Sequence, residues 1–393
     1  MRLAQRMNQL GTETAFEVLV KAKALEGQGR DIIHLEVGEP DFATPENIVD
    51  AGVRALRSGA TKYTPSAGTN ELRETIARHV SMTRKVIVNP DQIVVTPGAK
   101  PIMFFVILAL VEAGDEVIYP NPGFPIYESM INFCGGTPVP LPLREANQFR
   151  FDPDEFRTLV TPKTKLIIIN SPHNPTGGVL EFEDLQTIAE ISTKYDIPVL
   201  TDEIYWRILY DATYHSILQF PGMPERTILL DGFSKTYAMT GWRLGFGAMP
   251  SYLVPHVTRL MTNSNSCTAA MIQAAGVEAL NGPQESVGKM VNAFKERRDT
   301  IVNGLNQVPG FNCLRPKGAF YSFPNVQGVL KESGWETKKL ADYLLNDAGV
   351  ACLSGTAFGR YGDGYLRFSY ANSLENIKKA LERIKVAVEK IRD

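Results

Sequence analysis

The residue best placed for chemistry is Lys235. It lies in Gly232-Phe233-Ser234-Lys235-Thr236-Tyr237, directly after the apolar run TILLD, and Arg243 follows in the same segment. A lone lysine is normally a solvated surface residue. One just past a buried strand, flanked by hydroxyls, offers an amine nucleophile, and Arg243 offers a phosphate-binding fork. Three more segments put polar residues at the ends of apolar runs. Thr96-Pro97-Gly98-Ala99-Lys100 follows QIVV and opens an apolar helix. Small residues there leave backbone N–H groups free for an anion, most often a phosphate, although Gly98 serves equally as a turn residue. Asn170 to Gly178, NSPHNPTGG, follows LIII. Its prolines and glycines make a loop; a rigid one would hold the Asn174 amide as a donor, and its X-Pro bonds are candidates for the cis form. Asp202-Glu203-Ile204-Tyr205 ends the run PVLT. A carboxylate there is costly without a cationic partner, unless it serves as a helix cap.

Taken together these residues supply a helix N-terminus, an arginine and a serine for a phosphate, a carboxylate for a cation and a lysine for a carbonyl. One cofactor needs all of them: pyridoxal 5'-phosphate, an aldehyde held as a lysine Schiff base with an acidic partner for its pyridinium nitrogen. Other chemistries lack support. GPQESVGKM at 282–290 is one residue too long for a phosphate loop and ends in Met290 where a hydroxyl is needed. No GxGxxG opens a βαβ unit, and no metal-ligand spacing links the five histidines or four cysteines.

The elements that must position these residues are short apolar β-rich runs alternating with helical patterns. Strands are expected at 92–96, 116–120, 165–170, 198–202, 227–231 and 242–249, and helices at 98–113, 125–133 and 182–195. Runs such as LIIIN are apolar on both faces, as in a mostly parallel sheet buried under helices. At the ends, a helical arm at 3–26 precedes the strand IIHLE. A helix at 284–305, the strand AFYSFP, a helix at 337–346, the strands VACLS and YLRFSY and a helix from Leu374 follow the sheet. The fold class is therefore α/β, with a second, smaller α+β domain built from both chain ends. The division expected is 1–44 for the arm and part of the small domain, 45–283 for the large domain and 284–393 for the rest of the small one.

With 393 residues, a large core is available. The 41 basic and 43 acidic residues nearly cancel, so nothing resembles the footprint of a nucleic-acid binder. The longest apolar run, 102–111, is too short for a bilayer, which needs roughly 20 residues, and the N-terminus lacks a signal-peptide core. Unpaired cysteines fit a reducing cytosol. The expectation is a cytoplasmic protein with no membrane or nucleic-acid partner and no metal.

At this point the sequence resembles the class I, fold-type I pyridoxal-phosphate-dependent aminotransferases of the aspartate aminotransferase type. The likeness runs from LEVGEPDFATP to GYLRFSYA, essentially the whole chain. It implies a seven-stranded sheet sandwiched by helices. It implies that Lys235 forms the aldimine and shuttles the proton, that Asp202 pairs with the pyridinium nitrogen, and that Tyr205 and Asn174 bond the ring hydroxyl oxygen. Phe124, in NPGFPIY, would stack on the ring. Gly98, Ala99 and Lys100 would sit at the phosphate with Ser234 and Arg243. Arg367 would grip the substrate α-carboxylate, with a backbone contact from Gly38. Tyr63, in KYTPSAGTNELR, resembles the tyrosine that reaches a neighbouring subunit's phosphate, which implies a homodimer. SGTAFGRYGDG and the arm are implied candidates for closing over the site.

The implied activity moves the amino group of an L-amino acid to a 2-oxo acid, with glutamate and 2-oxoglutarate as one pair. One subgroup carries a lysine at the position of Lys100 to read acidic side chains. Against that, Ala15 and Glu17 stand roughly where the subgroup has hydroxyls, and a glutamate would repel an acidic substrate. Aspartate-like, aromatic, branched and alanine specificities all stay open. Alternatives on the same fold are a β- or γ-eliminating lyase, including carbon–sulfur lyases, and a non-catalytic sensor; retention of Lys235 and Arg367 argues against the sensor.

Overall fold

The apolar runs become strands at the centre of the molecule. The computed structural model describes residues 2–392. Seven strands form one sheet: β1 (Ile93–Thr96), β2 (Glu116–Asn121), β3 (Thr137–Pro142), β4 (Thr164–Asn170), β5 (Val199–Asp202), β6 (Thr227–Gly232) and β7 (Gly245–Ala248). Their order is β1-β7-β6-β5-β4-β2-β3. Every neighbouring pair is parallel except the two made by β7, which runs antiparallel between β6 and β1.

Strand alternation divides the core. Leu166, Ile168, Leu200, Ile228 and Leu230 face the helices Lys100–Leu110, Ile126–Phe133 and Val254–Asn265. On the opposite face, Ile167, Ile169 and Val199 meet the helix Phe182–Tyr195. Ile93, Val95, Leu229 and Phe246 meet Asn70–Arg84 and Ala270–Asn281 on that face. Burial on both faces is why these strands read as continuous apolar runs.

Three sequence expectations change. The six strand runs omit β3, whose sequence TPVPLP looks like a breaker. Proline has no N–H to give a ladder, so it is tolerated at a sheet edge, and β3 is the edge strand. The run 242–249 starts only at Gly245, because Arg243 takes φ 56° and cannot extend a strand. The arm is not one helix: a 3-10 turn at Gln5–Gln9 is separated from the helix Thr14–Glu26.

The chain ends meet. Ile33–His34 pairs in parallel with Val350–Ala351. Leu353–Ser354, Leu366–Ser369 and Tyr321–Ser322 make an antiparallel sheet. VACLS is thus two strands in two sheets, separated at Cys352. The helices Glu285–Leu305, Thr337–Asn346 and Leu374–Arg392 cover these strands through Phe294, Ile301, Leu340, Ile377 and Ile384.

The sheet sets the site by register. Asn170, ending β4, lies opposite Asp202, ending β5. Gly245 lies opposite both Gly232 and Thr96, which brings the lysine segment beside the Thr96–Lys100 turn. A Cβ on Gly245 would fall 2.2 Å from the Ala99 nitrogen, so only glycine lets the two segments approach this closely.

Candidate active site

Beyond the carboxyl ends of β1, β4, β5 and β6 lies a cavity of about 520 Å³. Its wall includes Gly38, Ala99, Lys100, Phe124 and Asn174, and also Asp202, Tyr205, Ser234, Lys235, Arg243 and Arg367. Residues up to 331 positions apart in the chain thus converge, Arg367 bonding the Glu36 carbonyl. Gly98 touches the wall through Arg243. Tyr63 is the exception: it is 87% exposed and lies outside the cavity.

Asp202 Oδ2 accepts from the Tyr127 hydroxyl at 2.7 Å and its Oδ1 from the Ile204 N–H at 3.2 Å. Among the described residues it makes no ion pair. Burial therefore pushes its carboxyl up to about 6, with the hydrogen bonds from Tyr127 and Ile204 opposing. No described residue supplies the cationic partner that one of the two sequence readings called for. Asn170 fixes the neighbouring loop: its Nδ2 donates to the Asp202 carbonyl and its Oδ1 accepts from the Asn174 N–H, both at 2.9 Å. The Ser171-Pro172 and Asn174-Pro175 bonds of this loop are cis.

Lys235 Nζ donates to the Gly38 carbonyl at 2.5 Å. Burial pushes its ammonium down to about 8, with Glu39 and Glu13 pulling the other way. Near neutral pH such a lysine is a usable nucleophile and base.

The turn after β1 packs against Arg243. Gly98 has φ +85°, and the Thr96 hydroxyl donates to its carbonyl at 2.7 Å. A Cβ on Gly98 would stand 2.2 Å from Arg243 Nη2. Arg243 donates to the Thr240 carbonyl at 3.0 Å and to the Pro97 carbonyl at 3.4 Å, with no carboxylate partner among the described residues. Ser234 is buried beside them.

Arg367 is a buried cation with no carboxylate partner among the described residues. Nη1 donates to Asn174 Oδ1 at 3.2 Å, Nη2 donates to the Glu36 carbonyl, and Nε has no partner. Its guanidinium lies 4.5 Å from the Tyr321 ring centre and 5.0 Å from that of Phe358. Burial lowers its pKa, and the phenols of Tyr321 and Tyr205 oppose that. An enclosed guanidinium with an unused donor is a site for an anion.

Sequence reasoning missed two residues here. Tyr127 reaches Asp202, and Tyr321 meets the Tyr205 hydroxyl at 2.7 Å. Both lay inside quoted segments, NPGFPIY and AFYSFP, as polar-tipped aromatics among apolar neighbours. Tyr321 also explains Gly38, where a Cβ would fall 1.9 Å from its hydroxyl. One expectation is corrected. Glu17 is exposed and does not line the cavity, because the helix beginning at Thr14 turns it to solvent. The arm residue that reaches Lys100 is Glu13, whose carboxylate pairs with Nζ.

These residues fit pyridoxal phosphate on their own observations. Asp202 is a buried carboxylate lacking a cation, Gly98 and Arg243 form a cradle that any Cβ would fill, and Lys235 is a depressed amine between them.

The family described as aminotransferase class I and II matches residues 30–384. A probable aspartate/prephenate aminotransferase of Aquifex aeolicus is 41% identical, over 99% of both chains. An aspartate aminotransferase of Bacillus subtilis is 38% identical, over 99% of this chain and all of its own. Among solved structures, aspartate aminotransferase from Thermus thermophilus with maleate superposes with a TM-score of 0.93 at 36% identity. That match covers 98% of this chain and 100% of the other. The cavity brings Lys235, Asp202 and Arg243 together in a chain similar to transaminases along its whole length, and this protein belongs to the class I and II aminotransferases, as a pyridoxal-phosphate-dependent enzyme.

Proposed function

We propose that the protein moves the amino group of an L-amino acid to a 2-oxo acid, with L-glutamate and 2-oxoglutarate as one pair and an aspartate-like or broader second substrate. The observation that carries this is Arg367: a buried guanidinium without a carboxylate partner among the described residues, in the same cavity as the Lys235 amine. The aspartate aminotransferase names of the relatives support the acidic substrates.

Lys235 would hold the cofactor through Nζ, Asp202 would face its ring nitrogen, and Tyr205 and Asn174 its ring oxygen. Phe124 would cover the ring face. The N–H groups of Gly98 and Ala99, the Ser234 hydroxyl and Arg243 would take the phosphate, with Lys100 at the same helix start. When bound, pyridoxal phosphate supplies a sink for the electron pair left at the substrate Cα. Arg367 fixes the α-carboxylate, with Gly38 beside it, and so orients the Cα–H bond. Lys235 Nζ, once freed by the substrate amine, would take the Cα proton and, now protonated, would be the acid that delivers it on the cofactor side rather than back to Cα. Asp202 holds the positive charge opposite it in a buried place, where that interaction is strong.

The exposure of Tyr63 supports its acting in a neighbouring subunit's site, hence a homodimer with shared sites. The division at 44 and 283 and the cytoplasmic location belong to the same reading. Pairing of Ile33–His34 with Val350–Ala351 supports a small domain made from both ends.

An absorbance spectrum tests the function. The purified protein is expected to show a visible cofactor band that is lost in Lys235→Ala. L-Glutamate or L-aspartate should convert it to a near-ultraviolet band, and 2-oxoglutarate should restore it. Ammonia release from a β-substituted amino acid without any such conversion would overturn the transaminase reading in favour of a lyase.

A further inference from the structure

Glu13 stands at the N-cap of the helix Thr14–Glu26, where an acidic side chain normally turns back to the first N–H groups. It makes no such bond. Its carboxylate instead crosses to Lys100, the first residue of the helix Lys100–Leu110 on the far wall of the cavity. Glu13 is the more enclosed partner, with 17% of its side chain exposed against 43% for Lys100. Lys100 Nζ also lies 5.5 Å from the centre of the Phe124 ring, and Glu13, Lys100 and Phe124 all line the cavity. The negative charge of Glu13 is felt inside the cavity, since it pulls the pKa values of Lys235 and Arg367 upward.

We propose that Glu13 is a specificity-determining residue: its carboxylate occupies Lys100 as an internal stand-in for an acidic substrate side chain. A substrate bearing a second carboxylate must displace Glu13, whereas an aromatic or aliphatic one need not. This rests on the transaminase reading, with Arg367 as the anchor of the α-carboxylate. The logic is competition. A tethered carboxylate acts at an effective concentration on the order of millimolar, so acidic substrates bind more weakly than Lys100 alone would allow. Glu13 left unpaired beside a dicarboxylate would also add like-charge repulsion.

The test uses the holoenzyme and the variants Glu13→Gln, Lys100→Met and both together. Maleate, a non-reacting dicarboxylate, is titrated by calorimetry. The kcat/KM of L-aspartate is measured beside that of L-phenylalanine. Glu13→Gln is expected to tighten maleate and lower the KM for L-aspartate about three- to fivefold, the factor that a partly exposed ion pair is worth. L-Phenylalanine should move less than about twofold. Adding Lys100→Met should cancel the gain. Unchanged maleate binding in Glu13→Gln, an equal change for both amino acids, or a gain that survives Lys100→Met would each overturn the proposal. The maleate titration needs no turnover. Tighter maleate in an enzyme that transaminates nothing would uphold the role of Glu13 and overturn the function instead.

Discussion

Arg84 Nη2 lies 2.6 Å from Asp231 Oδ2 in the interior, and neither side chain has meaningful contact with solvent. Arg84 Nε also reaches Glu203 at 3.1 Å, and the guanidinium lies 4.2 Å from the centre of the Trp206 ring. Glu203 follows Asp202 directly, and Asp231 ends the run that leads to Lys235. Glu203 accepts further bonds from Ser216 at 2.7 Å and from Thr201 at 3.2 Å. One arginine thus ties together the strand ends that carry the acid and the amine of the site.

Removing that cation leaves two buried carboxylates facing each other. Arg84→Met is expected to cost about 3–5 kcal/mol of folding stability, the range for breaking a buried pair from one side. Urea denaturation of the apoprotein measures it. A loss below about 1 kcal/mol would mean that this network does not hold the strand ends.

Asp202 gives the apoprotein a pH signature. Its folded pKa, raised to about 6 by burial, exceeds the unfolded value of about 3.9. Between these the folded state binds more protons, so this group's contribution to stability falls as pH rises from about 4 to about 6. The loss is worth about 3 kcal/mol. Asp202→Asn should lack that slope in denaturation curves taken across this range. A variant with the wild-type slope would assign it to another group.

Lys235 must be neutral to attack a carbonyl. With its pKa pushed down to about 8, cofactor uptake by the apoenzyme should accelerate as pH rises and level off above about 8. Stopped-flow absorbance at a series of pH values reads this directly. A rate still climbing tenfold per pH step toward the ordinary lysine value of about 10.4 would contradict it.

Arg367→Lys keeps the charge and loses the planar fork that Asn174 and the Glu36 carbonyl aim. The kcat/KM for any amino acid should fall roughly 10- to 100-fold, about 1.5–3 kcal/mol for a charged hydrogen bond. Thermal stability should change little by comparison. Equal kinetics for lysine would remove Arg367 from carboxylate binding.

Much of the fold was legible because burial on both faces leaves unbroken apolar runs, as in LIIIN and TILLD, and the polar residues closing them marked the sheet edge that carries Asn170, Asp202 and Lys235. What was hidden is long-range. Tyr127 meets Asp202 across 75 residues and Arg84 meets Asp231 across 147, and no local pattern encodes either contact. β3 was hidden by its prolines, which only its edge position tolerates. On the arm, Glu13 is the extended residue just before the helix Thr14–Glu26 while Glu17 lies within it, and it is Glu13 that reaches Lys100.

The bond from Arg367 to the Glu36 carbonyl joins groups 331 residues apart, and the Leu35 carbonyl accepts from the Ser369 N–H at 2.7 Å. A ribosome therefore finishes every strand of the large sheet well before it makes Arg367, the residue proposed to hold the substrate carboxylate. Chains begin to fold from the N-terminal side during synthesis, so a nascent or prematurely ended chain can shape the Lys235 and Asp202 strand ends while lacking Arg367. Biosynthesis thus separates the two in time: the lysine segment is complete first, and Arg367, the proposed carboxylate anchor, arrives only with the final strands.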